Sequence, residues 1–399
     1  MKEGWEYKKL GEVCVSDLGK TLNQSKDTGT YRPYLCAVNI QWDDIDLSTL
    51  KQSRFEDNEI DRYSVRKGDL LVCEGGDIGR AAIWNNEETI LYQNALHRIR
   101  FNDNVQPRFC LQYLRSLKQN GILDSRYAKG VTIKHLVKSS LLSIPIPIPP
   151  ISEQQRIVEE LDLLSSIIEK KKEQLKELDN LAQSIFYDMF GDPVVNEKGW
   201  PTKTLGELSE KIANGYNAKL EEDTYKSEGI MYFRCQNVWR NRFDYSDLVY
   251  IDEETNKKMK SSSLKHNDFL VTKIGRVNTE NSSLGRISLY EGDDDKANLS
   301  GNLCFIRLKK DVLVHKYLLY IFVSDQFRDY IRRTTVGGID KRALNTKQLS
   351  TFPVHIPPLS LQQQFAEKIE AIEKQKEQIK QSIAEMETLF NSRMDYYFT

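Results

Sequence analysis

The chain has 399 residues, a formal net charge of −1, and 29% charged side chains. That length builds two or three domains with cores of their own, and the near-zero charge excludes a global basic field, so a nucleic-acid surface must be a local patch. No apolar run reaches the roughly 18 residues of a membrane helix. The opening Met1-Lys2-Glu3-Gly4-Trp5-Glu6 lacks the apolar core of a signal peptide. The six scattered cysteines form no Cys-x-x-Cys pair, which points away from zinc and towards reduced thiols in a cytoplasmic protein.

In chain order, residues 1–150 read as one globular segment. Gly4-Trp5 leads to Leu10-Gly11-Glu12, and a strand-like stretch, 34–40, ends in an asparagine-bearing loop. Lys67-Gly68-Asp69 is a turn feeding a strand at 70–72. Ile78-Gly79-Arg80, a strand at 96–100, a short helix at 109–116 and a closing stretch at 130–136 follow. Residues 191–358 repeat this order with Gly199-Trp200, Leu205-Gly206-Glu207, 232–238, His266-Asn267-Asp268, Leu284-Gly285-Arg286, 303–307, 317–324 and 338–344. Residues 41–66 and 273–283 show no counterpart, as expected of loops with different recognition tasks. Short strands mixed with few helices predict a compact α+β unit, twice, with an open or barrel-like sheet. A duplicated chain of this kind suits a target with two half-sites or two copies of one partner.

Each segment ends in prolines and then a long charged helix. Ile148-Pro149-Pro150-Ile151-Ser152-Glu153-Gln154-Gln155 opens residues 151–190, and Ile356-Pro357-Pro358-Leu359-Ser360-Leu361-Gln362-Gln363 opens residues 359–399. Ser152 and Ser360 are placed as N-caps. The apolar seams run Ile157, Leu161, Leu164, Ile168 onward to Met189, and Phe365, Ile369, Ile372 onward to Tyr397, in steps of four and three. That 3.5-residue period is a coiled-coil seam, and Lys171 and Lys376 within it are register devices. The first helix is expected to be roughly 58 Å long at about 1.5 Å per residue. The seams bury each other most simply by pairing, in a direction the sequence leaves open. Glu169-Lys170-Lys171-Lys172-Glu173-Gln174-Leu175 matches Glu373-Lys374-Gln375-Lys376-Glu377-Gln378-Ile379 at an offset of 204, against 208 at the proline stops. The first helix is therefore expected to carry four extra residues before this point, ~6 Å.

Catalytic signatures are missing. There is no phosphate-binding Gly-x-x-x-x-Gly-Lys-Ser/Thr loop and no His-Glu-x-x-His, and the five histidines are dispersed. Glu74-Gly75-Gly76-Asp77-Ile78-Gly79 lacks dinucleotide-fingerprint spacing and reads as a tight turn. Neither an adenine-methyltransferase element nor a nuclease core is present.

Two windows break the neutral average. Residues 115–138 hold Arg115, Lys118, Arg126, Lys129, Lys134 and Lys138 against Asp124, with His135 among them. Residues 326–348 hold Arg328, Arg332, Arg333, Lys341, Arg342 and Lys347 against Asp329 and Asp340. Charge runs are ordinarily solvated faces, but these recur at matching places in both copies. Such cations neutralise phosphates and release counterions, while Tyr127, Thr132, Thr334, Thr335 and the Gly337-Gly338 backbone suit neutral phosphate contacts. Candidate base readers are Asn39, Gln41 and Trp42, then Asn237, Trp239 and Arg240, then Lys273, Arg276, Asn278 and Asn281. Each taken singly is also an ordinary turn residue.

With these motifs present twice and in order, the chain resembles the specificity subunit of Type I restriction-modification systems over essentially its whole length. The resemblance rests on the Trp…Leu-Gly-Glu opening, the Asn-Ile/Asn-Val strand end, the Ile-Gly-Arg/Leu-Gly-Arg turn and the Pro-Pro-x-Ser-x-Gln-Gln helix entry. It implies two target recognition domains, each reading one half of a split site on double-stranded DNA, joined by two long helices in an antiparallel coiled coil. It implies no catalysis in this chain. Two methyltransferase subunits would dock on it and supply the S-adenosylmethionine site, and restriction subunits would supply ATP- and Mg-dependent translocation and cleavage. Helix length would then help set the gap between half-sites. The competing reading is a non-enzymatic coiled-coil adaptor that bridges proteins without touching DNA; a self-contained nuclease with a degenerate site is a third.

Overall fold

Leu70, Leu71, Val72 and Cys73 are all fully buried, so the strand Leu70–Cys73 has no solvent face. Its side chains alternate between two cores. Leu70 and Val72 pack with Ile99 and the helix Pro107–Gln119, while Leu71 and Cys73 pack with Leu35, Val65 and Tyr92 of a second sheet. The computed structural model that shows this describes residues 5–23, 25–130, 134–216, 220, 224–277, 279, 281–338 and 340–399.

The chain divides into two units, Met1–Lys172 with Gln381–Thr399, and Glu173–Lys380. In unit 1 the main sheet is antiparallel, in the order Cys14–Leu18, Leu96–Phe101, Leu70–Cys73, Ala81–Ile83. The second sheet runs Lys51–Phe55, Thr30–Leu35, Ile90–Tyr92, Ser64–Val65, with its central pair parallel. Unit 2 repeats the main sheet as Ser209–Asn214, Leu303–Leu308, Phe269–Thr272, Ile287–Leu289. Its second sheet is Val249–Ile251, Ile230–Phe233, Ala297–Leu299, again with one parallel pair. Phe269 and Val271 face the helical core, and Leu270 faces the other.

The match between the units extends further than the sequence indicates. Lys51–Phe55 lies on Thr30–Leu35 as Val249–Ile251 lies on Ile230–Phe233, so residues 41–66 do have a structural counterpart. These edge strands are half-exposed and carry no strict apolar alternation, which hides the equivalence. The turn 67–69 recurs with its purpose visible. Asp69 accepts from Nε and Nη2 of Arg100 at 2.7 and 2.9 Å, and Asp268 from Nε and Nη2 of Arg307 at 2.8 and 2.7 Å.

Both long helices, Ile151–Phe190 and Leu359–Phe398, have 40 residues. Their first and last residues, and every seam position between, correspond at one offset, so the expected four-residue excess is absent. The match at an offset of 204 is a recurrence of charged exposed residues, which packing does not hold in register. Ser152 and Ser360 are also not caps, because the helices begin one residue earlier. The carbonyls of Pro150 and Pro358 start the helices, accepting from Gln154 N at 3.0 Å and Gln362 N at 3.2 Å. The buried side chain of Gln154 then donates to the Pro149 carbonyl (2.9 Å) and the Asn104 carbonyl (2.8 Å), and accepts from Gln106 N (2.9 Å). Gln362 does the same with the Pro357 carbonyl and Val314 N, both at 2.9 Å. The first glutamine of each Gln-Gln pair thus ties a long helix to the start of a short one.

Within each unit the two long helices run antiparallel. In unit 1, Arg393 pairs with Glu160 and Lys172 with Glu387. In unit 2, Lys376 pairs with Asp179, and Phe186 and Phe190 pack on Phe365 with ring centroids 5.7 and 5.3 Å apart. Phe186 and Phe190 are buried more deeply than the heptad positions Ile185 and Met189. The seam drifts there towards Tyr317 of the short helix, as a 3.6-residue helix does when it packs on more than its partner.

Candidate nucleic-acid interface

The Ile-Gly-Arg and Leu-Gly-Arg turns organise the site. Gly79 and Gly285 have φ of 79° and 65°, which favours glycine, and a Cβ would strike Leu123 and press on Ile331. Each glycine therefore seats its turn directly against the helical segment behind it.

In unit 2 two stretches distant in sequence meet here. Ile274–Arg276 pairs antiparallel with Lys341–Ala343, placing Arg276 opposite Lys341 and Gly275 opposite Arg342. Val336–Gly337 completes this small sheet. Beside it opens a cleft of about 820 Å³, lined by Arg276, Arg286, Asn281, Asn302, Asp340 and Lys341 among others. Arg276 is exposed, with Asp340 at 3.5 Å. In unit 1 the corresponding pair is Lys129 and His135, whose backbones exchange two hydrogen bonds of 2.8 Å. It docks on the glycine turn through Leu136 N to the Glu74 carbonyl at 2.7 Å. Burial raises the Glu74 carboxyl above its ordinary range, with His135 opposing.

Of the predicted contacts, Arg126, Lys129, Lys134 and His135 are exposed in unit 1, and Arg276, Arg333, Lys341 and Lys347 in unit 2. Arg333 and Lys347 lie outside the lining of the cleft. Lys134 turns its ammonium to the Asp124 carbonyl at 3.0 Å, and Lys138 is half-buried beside Asp17 at 3.4 Å. Gln41 is exposed and donates back to the Val38 carbonyl at 3.1 Å. Arg240 is half-buried. Lys273 is drawn inwards to the Gly301 carbonyl at 2.7 Å, and Arg342 donates to the Arg332 carbonyl. Thr132 and Asn278 lie outside the described residues.

Three predicted contacts are corrected. Asn39 is fully buried: its oxygen accepts from Cys36 N at 2.9 Å, and its amide donates to the Asp46 carbonyl at 2.9 Å and to Thr49 at 3.2 Å. Asn237 repeats this with Arg234 N, the Asp244 carbonyl and Asp247 at 2.9, 3.0 and 2.9 Å. Both amides hold their own loops and are fully buried, out of reach of a base edge. Thr335 is buried, its hydroxyl donating back to the Ile331 carbonyl at 2.9 Å. Sequence reasoning also passed over Arg286, which lines the cleft; its place in a repeated motif was the available signal.

Among the described residues, no group of three or more His, Cys, Asp or Glu is placed to hold a metal ion, and no helix is long and apolar enough to cross a membrane. The family pattern described as "Type I restriction modification DNA specificity domain" matches residues 2–179 and 197–388. The chain is 22% identical to the Type I restriction enzyme MjaVIII specificity subunit of Methanocaldococcus jannaschii, over 95% of this chain and 90% of that protein. It is 23% identical to the EcoKI specificity subunit of Escherichia coli K12, over 93% and 82%. The fold is similar to that of the S subunit of a Type I restriction-modification system from M. genitalium (TM-score 0.55, 14% identity, covering 98% of this chain and 95% of that one). A structure from work on complex assembly and conformational transition of the type I R-M system aligns with TM-score 0.60 and 19% identity, over 100% and 98%. The chain therefore belongs to the Type I restriction-modification DNA specificity family, as a specificity subunit with two recognition domains and no catalytic role of its own.

Proposed function

We propose that unit 1 and unit 2 each read one half of a split site on double-stranded DNA, through the surface built around the glycine turn and the hairpin beside it. The observation that carries this reading is the pairing of Ile274–Arg276 with Lys341–Ala343. That ladder brings Arg276 and Lys341, some 65 positions apart, side by side at the rim of one cleft, and a polyanion suits them. The contacts left after the corrections are Gln41, Arg126, Lys129, Lys134, His135 and Lys138 in unit 1, and Arg240, Lys273, Arg276, Lys341 and Arg342 in unit 2, with Arg333 and Lys347 outside the cleft lining. In this reading residues 1–150 and 191–358 are the recognition segments, and residues 151–190 and 359–399 are spacer helices on which two methyltransferase subunits dock. S-adenosylmethionine, ATP and Mg belong to those subunits and to restriction subunits, in the cytoplasm.

The test is a methylation map of DNA from cells carrying this chain with its methyltransferase, compared with cells lacking it. A split motif that appears only with the chain supports the reading. If the complex assembles and methylation is unchanged, the chain is an adaptor and the reading is wrong. A helical turn added to both long helices is expected to change the undefined gap of that motif and leave its two defined blocks alone.

A further inference from the structure

Unit 2 gathers guanidinium groups where unit 1 does not. Arg286, 7% exposed, follows the turn at Gly285, and its Cζ lies 3.9 Å from the centre of the Trp239 ring. Its Nε donates to the Ser282 carbonyl at 3.1 Å. Arg242 stands over the same indole at 4.9 Å. Behind them Arg328, 3% exposed, reaches the carbonyls of Leu284 and Gly285 only at 3.5 Å, and its Nε has no partner among the described residues. Burial first, then the charges of Arg240, Arg332 and Arg286, push the Arg328 guanidinium down from its ordinary value. Burial first, then Arg240 and Arg242, do the same to Arg286, with Cys235 opposing. Guanidinium groups keep their protons in proteins, so the like charges remain and repel. The acids nearby do little: Asp329 serves Arg332 at 2.7 Å, Asp340 lies beside Arg276, and Asp325 is the last of the influences on Arg328.

In the matching region of unit 1 a cation sits between two acids. Lys118 lies between Asp77 at 2.9 Å and Asp124 at 3.1 Å. Arg80, at the place of Arg286, donates to the Ala37 carbonyl at 2.8 Å. Burying like charges without counter-charges is costly, and a cleft lined by one of them is where an oxyanion relieves that cost.

We infer that the cleft of unit 2 holds one phosphodiester oxyanion of the DNA target, gripped by Arg286 with Arg276 and Lys341 at its rim, and that unit 1 has no equivalent grip. Trp239 and the carbonyls of the 281–282 turn hold the Arg286 fork in plane, and Arg328 behind it adds positive potential without touching the ligand. The inference rests on the reading that unit 2 faces DNA and goes beyond it, since it singles out one phosphate and one half-site.

The probe is a duplex carrying the split motif from the methylation map, with a neutral methylphosphonate replacing one phosphate at a time. It is bound by the full chain with its methyltransferase subunits. One position in one half-site is expected to lose about tenfold in affinity, the worth of a charge-assisted hydrogen bond. That loss should vanish in Arg286→Gln, whose salt slope should be lower by about 1. Arg286→Lys keeps the charge in nearly the same space; it should keep the salt slope and lose part of the coupling, and it carries the test if Arg286→Gln does not fold. Equal weakening of every methylphosphonate duplex by Arg286→Gln, or undiminished coupling in Arg286→Lys, overturns the inference. Sequence-specific binding retained in those cases leaves the recognition reading standing, whereas no specific binding by the unaltered complex removes both.

Discussion

The two units share their internal polar contacts and differ in how they treat the charges behind the glycine turn. The aspartate–arginine pairs of Asp69 and Asp268, the amide clamps of Asn39 and Asn237, and the helix ties of Gln154 and Gln362 recur at matching positions. Behind the glycine turn the units diverge. Lys118 of unit 1 is flanked by two acids there, whereas Arg286 and Arg328 of unit 2 have other arginines as neighbours. A side chain identical in both copies cannot be what distinguishes two half-sites. What recurs builds the unit, and what differs is free to read.

That division can be broken at several places. The largest effect is expected from Asp69→Ala and Asp268→Ala, each of which strands a partly buried arginine. Urea unfolding should show losses of about 3 kcal/mol, similar in the two units. A loss well under 1 kcal/mol in either would mean that the recurring pair is not part of the frame. Gln154→Ala and Gln362→Ala each leave buried backbone groups unpaired, and should cost about 2 kcal/mol by the same measurement. Asn39→Ala should lower stability by about 1–2 kcal/mol and leave both blocks of the methylated motif unaltered; a changed block would return Asn39 to the readers. Arg276→Gln with Lys341→Gln should do the opposite, keeping stability within about 0.5 kcal/mol while the salt slope of DNA binding falls by about 2.

The smallest effect is a pH dependence that unit 1 carries at a helix position where unit 2 has no acid. Hydrogen bonding from Arg393, then from Tyr397, holds the Glu160 carboxyl below its ordinary value of 4.5, with burial opposing. Its stabilising contribution is complete above that value and disappears as pH falls through the lower folded one. Glu160→Gln should flatten the acid limb of unit 1 melting, and the corresponding position in unit 2, Lys368, offers no such group.

The duplication, the heptad seams and the proline stops are legible in sequence because each repeats a pattern that packing enforces. The helix entry is legible as a motif and not as a mechanism: Ser152 resembles a cap, yet the buried Gln154 does the tying, and a glutamine's burial has no sequence signature. The site is legible in part. Exposed cations in a recurring window are visible, but strand pairing between 274–276 and 341–343 is a non-local event that no periodicity reports. Asn39 and Asn237 show the opposite hazard, since polar residues at a loop entrance look alike whether they face solvent or their own backbone. Residues 41–66 seemed unique to the first copy only because half-exposed edge strands tolerate almost any sequence.

The antiparallel helices have a consequence for the order in which the protein is made. Unit 2 is one unbroken stretch, 173–380, whereas unit 1 needs its final segment, 381–399, to finish its core. Phe398 packs on Phe109 and Tyr113 with ring centroids 5.5 Å away, and Arg393 reaches Glu160 across 233 positions. On the ribosome the second unit can therefore close first, while the first waits with an apolar helix face uncovered until the last turns emerge. A chain stopped near residue 380 would damage the unit translated first and spare the one translated last.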